Sequence, residues 1–135
     1  MASETYKADN LIGDNYPVIT EVVTVLANET HFGSTEKILK RGTLLTQVTQ
    51  AGASKDKFRR YDSANTDGTE VISSHPVILA EDVDTTANAV AAVYKAGAFS
   101  MEYVAEKTNL LLDATNLPTL RDTGLHMVKT YSVGA

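Results

Sequence analysis

Short apolar runs alternate with turn-forming clusters along the chain, and few runs are long enough for a helix. VITEVVTVLA (18–27) is rich in β-branched residues and predicts a strand. Asn28 to Thr35 is polar, contains Gly33 and reads as a loop. KILKRGTLLTQVTQ (37–50) predicts a turn at Arg41–Gly42 and a strand over Thr43–Thr49. AGASKDK reads as a loop tip and KFRRYD (57–62) as a short exposed strand. Asp67–Gly68, within SANTDGTE (63–70), is a strong hairpin signal. EVISSHPVILAEDVD (70–84) has strand character on both sides of Pro76. TTANAVAAVYKAGAFSMEY (85–103) holds two strand segments divided at Ala96–Gly97, the second marked by the alternation of Phe99, Met101 and Tyr103. From Met101 to Lys107 a helix is also open to the chain, since Met101, Val104 and Ala105 fit one helical face.

The clearest helix lies in TNLPTLRDTGL. Asn116 can cap it, Pro118 sits in the first turn where a missing N–H costs little, and Gly124 stops it. Leu120 and Leu125 are spaced for the apolar contact that closes such an ending. LHMVKTYSV (125–133) then returns as a strand. Together these elements predict a mainly β fold: a compact β-rich core with one or two short helices and an extended N-terminal arm. The arm covers residues 1–17 and the β-rich domain residues 18–135. In the arm, isolated apolar residues (Tyr6, Leu11, Ile12, Tyr16) stand among polar ones, and Pro17 marks a sheet edge or the start of one. Such a segment is too sparse in apolar residues to build a core, so its removal is expected to leave the domain folded.

Composition narrows the chemistry. At 135 residues the chain can bury a single core without covalent staples. It has no cysteine, which excludes disulfides, thiolate metal sites and thiol nucleophiles, and suits a reducing cytosol. No apolar run approaches the length that spans a bilayer. MASETYKADN has neither a basic stretch nor an apolar core, so a signal peptide is not expected. A net charge of −5 weighs against nucleic acid as the main partner. The charge is uneven, however. Residues 36–61 carry seven Lys/Arg and two acids, whereas 62–86 carry six acids and no Lys/Arg. These blocks can pair within the fold, pair between subunits, or form two solvated faces.

No catalytic or metal-binding constellation emerges. His31, His75 and His126 are scattered, with no HExxH motif and no carboxylate cluster at ligand spacing. Ser34–Lys37 and Ser54–Lys57 match S-x-x-K without its partner motifs. Ser63, Asn65 and Asp67 imitate a calcium loop, but its twelfth position is Ser74 rather than a bidentate glutamate. KFRRYD can be read as a base-stacking segment or as an edge strand guarded by charge, and the acidic block after it favours the latter. The expectation is a protein that is not an enzyme and carries no cofactor or metal.

Four segments, in order, carry a resemblance. LKRGTLLTQVT (39–49), TDGTEVISSHPVILAEDVDTTA (66–87), AVYKAGAF (92–99) and LRDTGLHMVK (120–129) resemble lambda-type bacteriophage head decoration proteins. His75–Pro76–Val77 departs from the small residue usual in that family ahead of the "IL" step. The resemblance implies a capsid cement protein with a β-rich core. It would bind the outer surface of the mature head as homotrimers at local three-fold sites, after assembly in the host bacterial cytoplasm. Its partners would be the major capsid protein and its own copies, with neither nucleic acid nor membrane involved. The arm, loose in solution, would order on the shell, so Tyr6, Leu11, Ile12, Tyr16, Pro17, Val18 and Ile19 are the expected capsid-binding residues. The competing reading is a small β-rich virion module that binds carbohydrate or a host receptor. The lack of tryptophan and the few other aromatics weaken its sugar-binding form.

Overall fold

The computed structural model describes residues 11–12, 18–30, 35–108 and 116–128. Its elements in chain order are β1 (Ile19–Val25), β2 (Ile38–Leu39), β3 (Leu44–Gln47), β4 (Phe58–Arg60), β5 (Val77–Leu79), β6 (Val83–Asp84), β7 (Ala89–Ser100), α1 (Met101–Thr108), α2 (Leu117–Asp122) and β8 (Leu125–Val128). Strands β1, β4, β3, β5 and β7 neighbour one another in that order, and pairing of β1 with β7 closes them into a five-stranded barrel. β2 and β6 form a separate antiparallel pair. The chain is thus mainly β with two short helices, as its pattern predicts.

Two apolar clusters hold the barrel, one on each side of its wall. Inside lie Val23 and Val25 of β1, Leu45 of β3, Phe58 of β4, Val77 and Leu79 of β5, and Ala91 and Val93 of β7. Alternation along each strand sends the intervening residues outward. On β3 and β5 those outward residues are Leu44 and Ile78, which meet Phe99, Val104 of α1, Leu120 of α2 and Leu125 of β8 in a second cluster. At this seam the Leu44 N–H donates to Thr108 Oγ1 at 2.8 Å, so the end of α1 is tied to β3.

β7 is one continuous strand rather than two. Its first part pairs antiparallel with β1 and β5, and Gly97–Ser100 pairs in parallel with β8. Gly97 marks the change of partners rather than a break. Its φ of +147° disfavours other residues, and a Cβ there would lie 2.8 Å from Val18 Cγ1. Beyond Ser100 the helical alternative prevails: Met101 to Thr108 is α1, so the apparent Phe99–Met101–Tyr103 alternation stops after its first member.

Other expectations need correction. KFRRYD is no exposed edge strand: β4 pairs with β3 on one side and β1 on the other, and Phe58 is buried in the barrel. Asp67–Gly68 does not make a hairpin, because β4 and β5 flank β3 and do not pair with each other. The segment ahead of Pro76 consists of turns, with His75 at φ +43°, so strand structure begins only at Val77. Asn116 is itself in a helical conformation and makes no side-chain cap bond to α2. Leu11 is not part of a free arm. It is fully buried in the second cluster, and its carbonyl accepts the Ser100 N–H at 2.6 Å. One leucine contributes little as a core of its own, but here it fills a space that α1, α2, β7 and β8 leave between them.

Candidate interaction surface

The residues expected to bind the capsid divide into three groups. Tyr6, Tyr16 and Pro17 lie outside the described residues. Leu11 is interior, and neighbouring Ile12 bridges Phe99 of β7 with part of its side chain exposed. Val18 and Ile19 are exposed where the chain enters β1. The structure therefore brings the described part of the expected site against β7, and leaves Ile12, Val18 and Ile19 open to contact.

A larger apolar surface lies next to them on the barrel wall. Val22 is 65% exposed and Val90 68% exposed. Val22 faces Ala92 across the β1–β7 ladder and Thr24 faces Val90, so the two valines are diagonal neighbours on the outer face. Thr20 and Thr24 flank them with β-branched side chains. The strip follows from strand alternation: Val23, Val25, Ala91 and Val93 point into the barrel, so Val22, Val90 and Ala92 must point out. Exposed single hydrophobics are ordinary, but adjoining ones on a flat two-strand surface form a contact candidate.

Beside this strip the barrel opens into a recess of about 650 Å³. Glu21 of β1, Gln47 of β3, Phe58 of β4, Val77 of β5 and Lys95 of β7 surround it, with Ser73, His75 and Pro76 at the rim. All five barrel strands contribute, so this is the mouth of the barrel. Neither Glu21 nor Lys95 forms an ion pair among the described residues. The recess has charge of both signs but no nucleophile–base pair: His75 is exposed on its turn and His126 is half-buried on β8, while His31 lies outside the described residues. Among the described residues no group of three or more His, Cys, Asp and Glu could hold a metal ion. No helix among them is long and apolar enough to cross a membrane.

The opposed charge blocks meet within one chain. Arg59 reaches Asp67 at 3.0 Å and Glu29 at 3.3 Å, and the Arg60 N–H donates to Glu29 Oε1 at 3.0 Å. Lys40 lies 3.8 Å from Asp82, which also accepts the Arg41 N–H at 2.7 Å. Arg60 Nε donates to the Thr30 carbonyl, and Arg41 Nη1 donates to the Ala80 carbonyl and the Tyr94 hydroxyl. The arginines of KFRRYD thus brace loops instead of offering a base-stacking face. Asp67 gathers the most bonds. Partial burial pushes its carboxyl up, but hydrogen bonds from Thr69 and Arg59, with the Arg59 charge, outweigh this and hold it below the ordinary carboxylate range.

A carboxyl depressed in the folded state stabilises fully above its unfolded pKa, and that contribution disappears as pH falls through the folded value. Asp67→Asn is therefore expected to lower stability by about 1–3 kcal/mol at neutral pH, the scale of a hydrogen bond to a charged partner. The deficit should shrink as the pH falls below the ordinary carboxylate range and through the depressed folded value, where the wild-type carboxyl is also protonated. Urea unfolding of both proteins at neutral and acidic pH reads this directly. An equal deficit at both would mean that the charge of Asp67 is not what stabilises the turn.

No protein-family model matches the chain, and no curated protein shows a significant match to it. The class that the fold and surface define is a small five-stranded β-barrel with an apolar outer strip and a charged mouth.

Proposed function

We propose that the chain is a phage head decoration protein. It binds the outside of the mature capsid as trimers at local three-fold sites and stabilises the shell against internal DNA pressure. The major capsid protein and other copies of the chain are its partners, and it works without catalysis, cofactor or metal. The observation that carries this reading is the ordered resemblance of four segments between residues 39 and 129. The β-barrel and its exposed strip at Val18, Ile19, Val22 and Val90 are compatible with a protein that works by presenting a surface.

Trimer formation rests on the resemblance alone. The charge blocks lend it less support than their sequence suggests, since Lys40, Arg59 and Arg60 find acidic partners within one chain. Purified protein mixed with expanded, undecorated heads is expected to co-sediment with them at saturable stoichiometry, and to leave unexpanded heads largely bare. Equal binding to both forms, or to neither, would contradict a role on the mature shell.

A further inference from the structure

The barrel is not closed along its whole height. β1 pairs with β7 from Ile19 to Val25, yet its other edge meets β4 only at Val25, opposite Phe58. The two strands run parallel, so β4 continues past the end of β1, and among the described residues no strand pairs with the earlier residues of β1 on that side. The backbone direction there follows from β7. The Ala92 N–H donates to Glu81 Oε2 at 2.8 Å and its carbonyl accepts the Ala80 N–H at 3.0 Å, so both peptide groups point toward the β5 side. Val22, opposite Ala92, is then in a non-hydrogen-bonded pair and turns its own N–H and C=O away from β7. Thr20, opposite Tyr94, has the same parity, and Tyr94 in turn pairs with Ile78 of β5. Neither Thr20 nor Val22 has a hydrogen-bond partner on the open side among the described residues.

This is an unpaired sheet edge beside a recess, and its chemistry specifies an extended polypeptide. We propose that the free edge of β1 at Thr20–Val22 accepts a strand from a partner protein, which carries a basic side chain facing inward at the mouth. Backbone groups supply the affinity and alternate side chains the selectivity. On its outer face the added strand continues the Thr20–Val22–Thr24 row, which favours β-branched or apolar residues. On its inner face it lies beside Glu21, which forms no ion pair among the described residues, so Lys or Arg complements it. Lys95 lies diagonal to Glu21 on β7, the strand already paired with β1, so it is on the side away from the open edge, and the two form no ion pair among the described residues. Of the chain's own N-terminal residues, Leu11 and Ile12 join β7 at Phe99–Ser100 rather than the edge of β1. On the cement reading, the strand is supplied by the capsid subunit.

Proline at position 22 tests this directly. It deletes an N–H that the protein's own ladder does not use, and edge strands tolerate proline when that N–H faces outward. Two binding assays are run in parallel. One uses a labelled six-residue peptide, Thr-Lys-Val-Lys-Val-Thr, followed by amide exchange at Thr20 and Val22. The other uses expanded heads. Wild-type protein is expected to bind the peptide with slowed exchange at both amides. V22P should weaken this at least tenfold with the fold retained, and Glu21→Lys should weaken it while Val22→Thr does not. If V22P fails to fold, T20P at the start of the ladder replaces it. Peptide binding without head binding would support the strand site and remove the capsid reading. Head binding by V22P at wild-type affinity, or no peptide protection in the wild type, would overturn the strand site and leave the capsid reading standing.

Discussion

Leu11→Ala is expected to destabilise the fold by about 2–5 kcal/mol, the range for truncating a fully buried leucine. Leu11 is inaccessible to solvent and packs with Leu44, Ile78, Phe99, Val104, Leu120 and Leu125. These residues come from β3, β5, β7, both helices and β8, so the cavity cannot close by moving one element. Against a total stability of about 5–15 kcal/mol the loss is large. Ile19→Ala provides the contrast: its side chain is exposed, and the change should stay within about 0.5 kcal/mol. Removing residues 2–16 should therefore destabilise the domain, because Leu11 goes with them. Chemical unfolding of the three variants separates the cases. A truncated chain as stable as the full one would show that Leu11 leaves its site without consequence.

Gly68→Ala is expected to be comparably harmful, on the order of 2–5 kcal/mol, from backbone strain plus overpacking. Gly68 has φ +102°, and a Cβ there would collide with Thr49 Oγ1 and lie 2.8 Å from the Thr49 backbone nitrogen. That nitrogen cannot retreat freely, since Thr49 and Gln50 both donate to the Asp67 carbonyl. The turn is also pinned by Thr46 Oγ1, which donates to the Thr69 carbonyl at 2.6 Å, and by Arg59 on Asp67. Displacing Gly68 thus disturbs the whole connection from β4 to β5. Gly52, exposed in a loop tip with open space around it, is the control: it has φ +140°, so alanine there meets strain but no collision. Thermal unfolding should rank Gly68→Ala well below Gly52→Ala, and equal values would mean that the collision is relieved cheaply.

The same two positions show where sequence reasoning succeeds and where it stops. Asp67–Gly68 was legible as a turn because φ above zero is a local demand that glycine meets. Its role was not legible, since a hairpin requires the flanking strands to pair, and here a third strand lies between them. Strand β1 was equally clear from its β-branched run, yet the sequence has Val22 and Val23 side by side. Which of them faces solvent is decided only when Ala91 and Ala92 of β7 take their places opposite. Leu11 illustrates the harder limit. Nothing near it in sequence predicts burial, because every residue that covers it is more than thirty positions away. Parallel pairing of β4 with β1 and of β8 with β7 is non-local in the same sense, so the open edge at Thr20–Val22 left no sign in the sequence. The charge blocks were visible, but their partners were not: Arg59 meets both Asp67 in the acidic run and Glu29 far upstream.

Cryo-microscopy of expanded heads saturated with the protein bears most directly on its function. A decoration protein of the proposed kind should appear as three-fold clusters on the outer surface at the local three-fold positions, with Val18 and Ile19 turned toward the capsid subunits. Single copies at hexamer centres, or shells that remain bare, would contradict it.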